Sequence, residues 1–318
     1  MRPGAFLSNH CYGLDKQSLL GLTNHNTMFK NRARGSVAHA KGILLTGTFT
    51  PTPAASTLSR AAHFSQPSTP LLIRFSNSTG IPDISDVSPD ADPRGIAIRF
   101  VLGDRKHTDI VAHSTPFFPT RTGAEFLQFL KAAGASGPDA PHPTPIEQFL
   151  GANPKALAFV QAEKKMKVSY GREQYFSVSA FKFVDAGGKE RYVRYRIVPV
   201  EGVEVASEEA KKGWGGDYLQ EEIKERLGRG KVEFTLEVQV AGEGDTVDDA
   251  TVHWPEEREV VTLGTVSIEG VKEDGEKESK NIIFDPIPRV DGVDVSADPL
   301  LEVRAGVYLI SGRERRAA

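Results

Sequence analysis

The sequence predicts an α+β fold, an antiparallel β-sheet or barrel with helices packed outside it. Three observations carry this. Short runs of strand character, several of them alternating, recur at 42–49, 71–76, 95–101, 175–184, 191–198, 231–240 and 259–268. They come in groups and hairpins, not in regular alternation with long helices, which argues against a parallel sheet. Helical patterns, at 122–133, 144–163, 208–227 and 299–312, fall between or after these groups.

Residues 1–36 are polar and irregular, with Asn24, His25, Asn26 and Asn31, and read as a short helix and an arm. Gly42 to Phe49 and Leu71 to Ser76 are strands. Asn77 to Arg94 is rich in Asp, Ser, Pro and Gly and reads as a loop leading into the strand Gly95 to Val101. Thr122 to Ala133 places Phe126, Leu127, Phe129 and Leu130 on one side of a helix, and 144–163 holds further short helices beyond a Pro/Gly-rich linker. Tyr175 to Val184 and Arg191 to Val198 form a hairpin about Asp185-Ala186-Gly187-Gly188. Glu208 to Leu227 is an amphipathic helix interrupted by Gly213-Trp214-Gly215-Gly216. Lys231 to Val240 and Glu259 to Ile268 are strands, 271–280 is a charged hairpin tip, and Pro299 to Gly312 is the last helix.

Composition narrows the function. The 318 residues are 39% hydrophobic and 25% charged, with a net charge of −3, so no global basic field points to nucleic acid. One cysteine, Cys11, excludes an internal disulfide and a thiolate cluster. No run approaches the ~18 apolar residues of a membrane span, and the N-terminus lacks an apolar signal core. No phosphate-cradling or dinucleotide glycine pattern occurs. The expectation is a single domain over 1–318, with 1–30 as an arm, in the cytoplasm.

Two segments at opposite ends stand out. Val37-Ala38-His39-Ala40-Lys41-Gly42 sets a histidine among small apolar residues. Asp298 to Tyr308 supplies a tyrosine with an arginine four residues before it and, beyond it, Arg315 seven residues on. On a helix, Arg304, Tyr308 and Arg315 share one face. A guanidinium beside a phenol favours the phenolate, a ligand for ferric iron. Arg74 lies in an apolar strand, where an unpaired charge is costly, so it requires an anionic partner.

Further motifs are Arg74-Phe75-Ser76, Asp92-Pro93-Arg94-Gly95, Asp109-Ile110-Val111, Thr115-Pro116-Phe117-Phe118, Asp248-Asp249-Ala250-Thr251 with Trp254-Pro255, and Phe284-Asp285-Pro286 onward. Through these the chain, over roughly 30–316, resembles the haem catalases, and most closely their short relatives, the catalase-related peroxidases. The resemblance implies an eight-stranded antiparallel barrel binding haem b. Tyr308 would hold the iron, Arg304 would keep it a phenolate, and Arg74 and Arg315 would pair with the propionates. His39 would act on the distal face with Ser76 orienting its second ring nitrogen. Phe118, Phe126 and Phe129 would line the distal pocket or its channel.

Three departures matter. His113 stands where catalases carry an asparagine, which puts rapid dismutation in doubt. It reads equally as a second acid/base group or as a pocket wall. Ser36 occupies a position where a propionate arginine is usual, with Arg32 and Arg34 nearby. The long arms and extra C-terminal domain of large catalases are missing, which leaves haem more open to organic substrates. The implied function is a haem peroxidase reducing hydrogen peroxide or organic hydroperoxides with a small organic donor, as a homodimer. A hydroperoxide-rearranging enzyme like allene oxide synthase, or a non-catalytic haem carrier, are the alternatives.

Overall fold

A computed structural model describes residues 39–317. The expected N-terminal arm and helix, Cys11, Arg32, Arg34 and Ser36 lie outside the described residues. In chain order the elements are β1 (Gly42–Pro51), α1 (Pro53–Leu58), β2 (Thr69–Ser76), β3 (Gly95–Gly103), β4 (Lys106–His113), α2 (Gly123–Gly134), α3 (Pro145–Ala152) and α4 (Pro154–Gln161). They continue with β5 (Tyr175–Phe176), β6 (Phe181–Val184), β7 (Glu190–Pro199), α5 (Glu208–Lys211), α6 (Tyr218–Arg229), β8 (Val232–Val240), β9 (Val260–Val271), α7 (Gly275–Asn281), β10 (Val293–Val295) and α8 (Pro299–Ala317).

Eight strands close an antiparallel barrel in the order β1, β2, β3, β4, β5, β7, β8, β9 and back to β1. The hairpin expected at 175–198 is present, but its first strand is broken. β5 and β6 pair with successive stretches of the same β7 edge, and β10 extends β6. Period-two alternation sorts the side chains. Ile73 and Phe75 of β2, Ile96, Ile98 and Phe100 of β3, and Phe234, Leu236 and Val238 of β8 belong to one buried core. Arg74 and Ser76 of β2 and His113 of β4 take the opposite, outer face.

One expectation needs correction, and one strand went unread. Residues 271–280 are not a hairpin tip: β9 runs through Val271, and α7 then turns back along β1, with Gly275 against Leu44. The strand β4 escaped notice because its inward residues, Thr108, Ile110 and Ala112, are mostly small or polar. The interruption expected within 208–227 is present, and it divides the segment into α5 and α6. The Gly216 carbonyl at the break accepts the Asp86 amide at 2.7 Å and Lys41 Nζ at 2.6 Å.

That lysine belongs to a buried network holding the entrance to β1. Lys41 Nζ pairs with Asp86 at 2.8 Å and Asp217 at 2.7 Å. Asp86 accepts Asn77 Nδ2 at 2.8 Å and the Leu219 amide at 2.9 Å. Asn77 Oδ1 accepts Arg94 Nη1 at 2.6 Å and the Tyr170 hydroxyl at 2.9 Å. Lys41 and Arg94, prominent in the sequence motifs, therefore serve the scaffold. Each buried charge is compensated, as burial of an ion demands.

Candidate active site

Adjacent strand ends build the site. Gly42, Ser76, Gly95 and His113 are successive cross-strand partners on β1, β2, β3 and β4, so they form one row across the barrel wall. His39 lies over this row. Its Nδ1 is 3.0 Å from Ser76 Oγ. A Cβ on Gly95 would sit 2.8 Å from His39 Cε1 and Nδ1 and 2.9 Å from Ser76 Oγ, so the bare glycine is what admits the ring. The His39 backbone is left-handed, with φ 56°, which is costly for a residue with a Cβ. Its amide donates to Ser78 O at 3.2 Å, and the Ala40 amide donates to Thr79 O at 2.9 Å. The strained turn is thus tied to the loop that the Lys41–Asp86 network anchors.

The row above holds Arg74, Ala97 and Val111 in register. Arg74 Nη2 donates to Ala40 O at 3.0 Å, and no carboxylate among the described residues pairs with it. Burial, and less so the Arg315 guanidinium, lower its pKa to about 10; the Tyr170 hydroxyl opposes. Arg74 and Arg315 therefore lie close enough to repel.

Opposite stands α8. Asp298 Oδ1 accepts the Leu300 amide at 2.9 Å and caps its start, with Pro299 in the first turn, where its missing N–H is harmless. Arg99 pairs with Asp109 through Nε and Nη2 at 2.9 and 2.7 Å, and Asp109 also accepts the Asp285 amide at 2.8 Å. This clamp fixes the approach to α8 against β3 and β4. Along the helix, Arg304 Nε donates to Tyr308 Oη at 3.3 Å, and Arg315 Nη1 donates to Ser311 Oγ at 3.0 Å. Arg315 Nη2 also donates to Ile282 O at 3.0 Å. The helical stripe read from the spacing is present.

Electrostatics join the two sides. Burial, then Arg74 and Arg304, lower the His39 pKa to about 4. Burial, then Arg304 and His39, lower that of His113 to about 3. One guanidinium, hydrogen-bonded to Tyr308, thus acts on both imidazoles. Both histidines are neutral at pH 7. Phe118 lies 6.2 Å from the His113 ring and 4.9 Å from Phe126, whose other neighbour Phe129 stacks at 6.1 Å and leads on to Phe149 at 5.8 Å. Phe126 also packs with Leu127, Val303 and Val307, joining α2 to α8.

Two contributors were not assigned roles from the sequence. Gly95 was visible only as the last residue of a turn motif. Thr115, two residues after His113, donates to its ring through the backbone amide at 3.3 Å, and its hydroxyl lies 2.7 Å away. A hydroxyl two residues beyond a histidine at a strand end was the available signal.

Fold and site together define a β-barrel protein with a tyrosine–arginine pair on a C-terminal helix whose guanidinium acts on two histidines at the barrel's outer wall. The catalase family profile matches residues 17–318, and the chain belongs to the catalase family. A catalase-related peroxidase of Mycolicibacterium paratuberculosis is 35% identical over 280 residues, 87% of this chain and 88% of that protein. Catalase-2 of Bacillus subtilis is 30% identical over 294 residues, 86% of this chain and 42% of its own. Among solved structures, catalase A from Saccharomyces cerevisiae superposes with a TM-score of 0.79 at 25% identity, covering 91% of this chain and 63% of that one. The chain thus spans less than two thirds of that structure's length.

Family members are haem enzymes, and the residues present fit that group. A phenol with a guanidinium donor can act as an anionic iron ligand. Arg74, a half-buried cation without a carboxylate partner among the described residues, suits a propionate. His113 Nε2 is buried with no hydrogen-bond partner among the described residues, as expected of a group that meets a ligand.

Proposed function

We propose that this chain is a haem b peroxidase that reduces hydrogen peroxide or organic hydroperoxides with a small organic electron donor and has weak or no catalase activity. The observation that carries the reading is that Arg304, hydrogen-bonded to Tyr308, acts on His39, which Ser76 holds, while Arg74 has no carboxylate partner among the described residues. Relatives named catalase-related peroxidases support it. The same reading makes the protein a cytoplasmic homodimer without nucleic-acid partners. No helix among the described residues is long and apolar enough to cross a membrane.

Haem, when bound, supplies the redox centre that accepts peroxide oxygen and stores the oxidising equivalents. Tyr308 Oη would ligate its iron, and Arg304 Nε would stabilise the phenolate. Arg74 and Arg315 would hold the propionates. His39, kept neutral by burial and by Arg74 and Arg304, would take the proton from one peroxide oxygen. It would return that proton to the other oxygen as the O–O bond breaks. Ser76 Oγ on Nδ1 would fix the ring so that Nε2 meets the substrate. Overall, one oxygen leaves as water, the other as water or an alcohol, and two donor molecules each lose a hydrogen atom.

The file of rings from Phe118 through Phe126 and Phe129 to Phe149 is the observation behind a second reading, a hydroperoxide-rearranging enzyme with an apolar channel. Donor-independent loss of a fatty-acid hydroperoxide, with an epoxide product, identifies that case; donor-dependent loss identifies the peroxidase. The primary test is the absorption spectrum of the haem-loaded chain and of Tyr308→Phe. A ferric tyrosinate spectrum that the substitution abolishes is expected. An unchanged spectrum in Tyr308→Phe removes the tyrosine from the metal and overturns the reading.

A further inference from the structure

We propose that Trp214 is a second donor site, an indole at the surface that passes an electron to the oxidised haem by way of Tyr218 and Tyr170 and regains it from reductants too large to reach the haem. The inference rests on the haem-peroxidase reading and goes beyond it.

A file of rings links this loop to the site. Trp214 lies in the Gly213-Trp214-Gly215-Gly216 break between α5 and α6, half-buried against the barrel core. Its ring stacks on Tyr218 at 4.1 Å with an interplanar angle of 13°, so the two π-systems overlap. Tyr218 is buried, and its hydroxyl donates to Lys167 O at 2.9 Å. Tyr170 follows three residues after that carbonyl, and both Tyr218 and Arg74 act on its phenol. Tyr170 stacks on Phe75 at 5.0 Å and 2°, and its hydroxyl donates to Asn77 Oδ1 at 2.9 Å. Phe75 sits on β2 between Arg74 and Ser76, the residue that holds His39. The loop is also fixed to the entrance of β1: the Gly216 carbonyl and Asp217 both bind Lys41 Nζ, and Lys41 O accepts the Asn77 amide at 3.0 Å.

Protons decide where an electron vacancy comes to rest. A phenol gives up an electron readily only when a base takes its proton. Tyr218 donates to a backbone carbonyl and Tyr170 to an amide oxygen, and neither acceptor is a base. Burial pushes both phenols up. The two tyrosines therefore bridge the electron's passage without keeping the vacancy. An indole loses an electron without first losing its proton, and the chain has two tryptophans. Trp254 is 3% exposed beneath the Arg194 guanidinium, 4.4 Å from its ring, whose charge opposes a positive indole. Trp214 is partly open to water, which stabilises that charge. No atom lies within 4 Å of a Cβ added at Gly213 or Gly215, so the loop is open to a bulky donor. The step balances: Trp214 passes one electron inward and becomes a radical cation. A surface donor returns one electron and releases one proton to water. Two such transfers complete the reduction of one peroxide.

The haem-loaded full chain, mixed with hydrogen peroxide without donor and frozen, tests this by electron paramagnetic resonance. The parent is expected to show an indole radical that Trp214→Phe loses and Trp254→Phe keeps. Peptide mass spectrometry of the parent after repeated peroxide, which needs no variant, should find oxygen added at Trp214 before Trp254. With an aromatic amine as donor, free or coupled to a large dextran, Trp214→Phe should lose oxidation of the coupled amine and keep the parent rate with the free one. No indole radical in the parent, its persistence in Trp214→Phe, or parent-like oxidation of the coupled amine by Trp214→Phe overturns the proposal. A parent that takes up no haem, or whose haem spectrum does not respond to peroxide, overturns the functional reading and this inference with it. A normal haem response with Trp214 left unoxidised overturns this inference alone.

Discussion

Replacing Gly95 by alanine adds one methyl group at the point where three strands and the His39 turn converge. The new Cβ would lie 2.8 Å from two atoms of the His39 ring and 2.9 Å from Ser76 Oγ, against a comfortable separation of about 3.5–4.0 Å. The ring must therefore retreat by nearly 1 Å. It has little freedom to do so, because its left-handed backbone is held through Ser78 and Thr79. Overpacking of this kind costs about 1–3 kcal/mol, and a 1 Å misplacement of a reacting group costs on the order of 100-fold in rate. Gly95→Ala should thus melt lower by roughly 2–12 °C, keep its haem spectrum, and reduce peroxide about 100-fold more slowly. Gly151→Ala on α3 is the matched control. No atom lies within 4 Å of its added Cβ, so it should gain about 0.5–1 kcal/mol. Calorimetry and stopped-flow absorbance on both variants give the answer. Parent-like stability and parent-like peroxide reduction in Gly95→Ala would refute the claim that this glycine makes room for the histidine.

Three further outcomes are expected. His39→Ala should retain haem but reduce peroxide on the order of 100-fold or more slowly; in the parent the acid limb of that rate should sit near pH 4, where His39 gains its proton, and not near 6.5. Arg74→Met should stabilise the haem-free chain to heat, because a half-buried charge without a carboxylate partner among the described residues is gone, while raising the haem dissociation constant about 10- to 100-fold; higher haem affinity would show that Arg74 meets no propionate. His63, 1% exposed among Phe49, Phe64 and Phe100, has its pKa lowered by burial to about 3. The unfolded chain binds its proton below about pH 6.5 and the folded chain does not, so the stability that His63 contributes is lost as pH falls. The parent should lose about 1.4 kcal/mol per pH unit relative to His63→Leu between pH 6 and 4 in denaturant titrations.

Much of this was legible in the linear chain, for identifiable reasons. Strands with large alternating side chains, such as Leu71 to Ser76 and Gly95 to Val101, announced themselves because one face is buried and the other is not. The Arg304–Tyr308–Arg315 stripe was readable because helical spacing is local. β4 was hidden because its inner face is small and polar, and 271–280 was misread because charge and turn residues suit a short surface helix as well as a hairpin tip.

By itself, the sequence determined the residue types, their local periodicity and hence the strand and helix character of most segments, including which side chains share a helical face. Only the tertiary structure decided that Gly42, Ser76, Gly95 and His113 form a single row, that Lys41 and Arg94 serve a buried network, and that Thr115 occupies one nitrogen of His113. The row depends on strand register, and the pairing of His39 with Ser76 spans 37 residues of chain. Register is set by how whole strands bury their inner faces together, a collective property that no single segment carries.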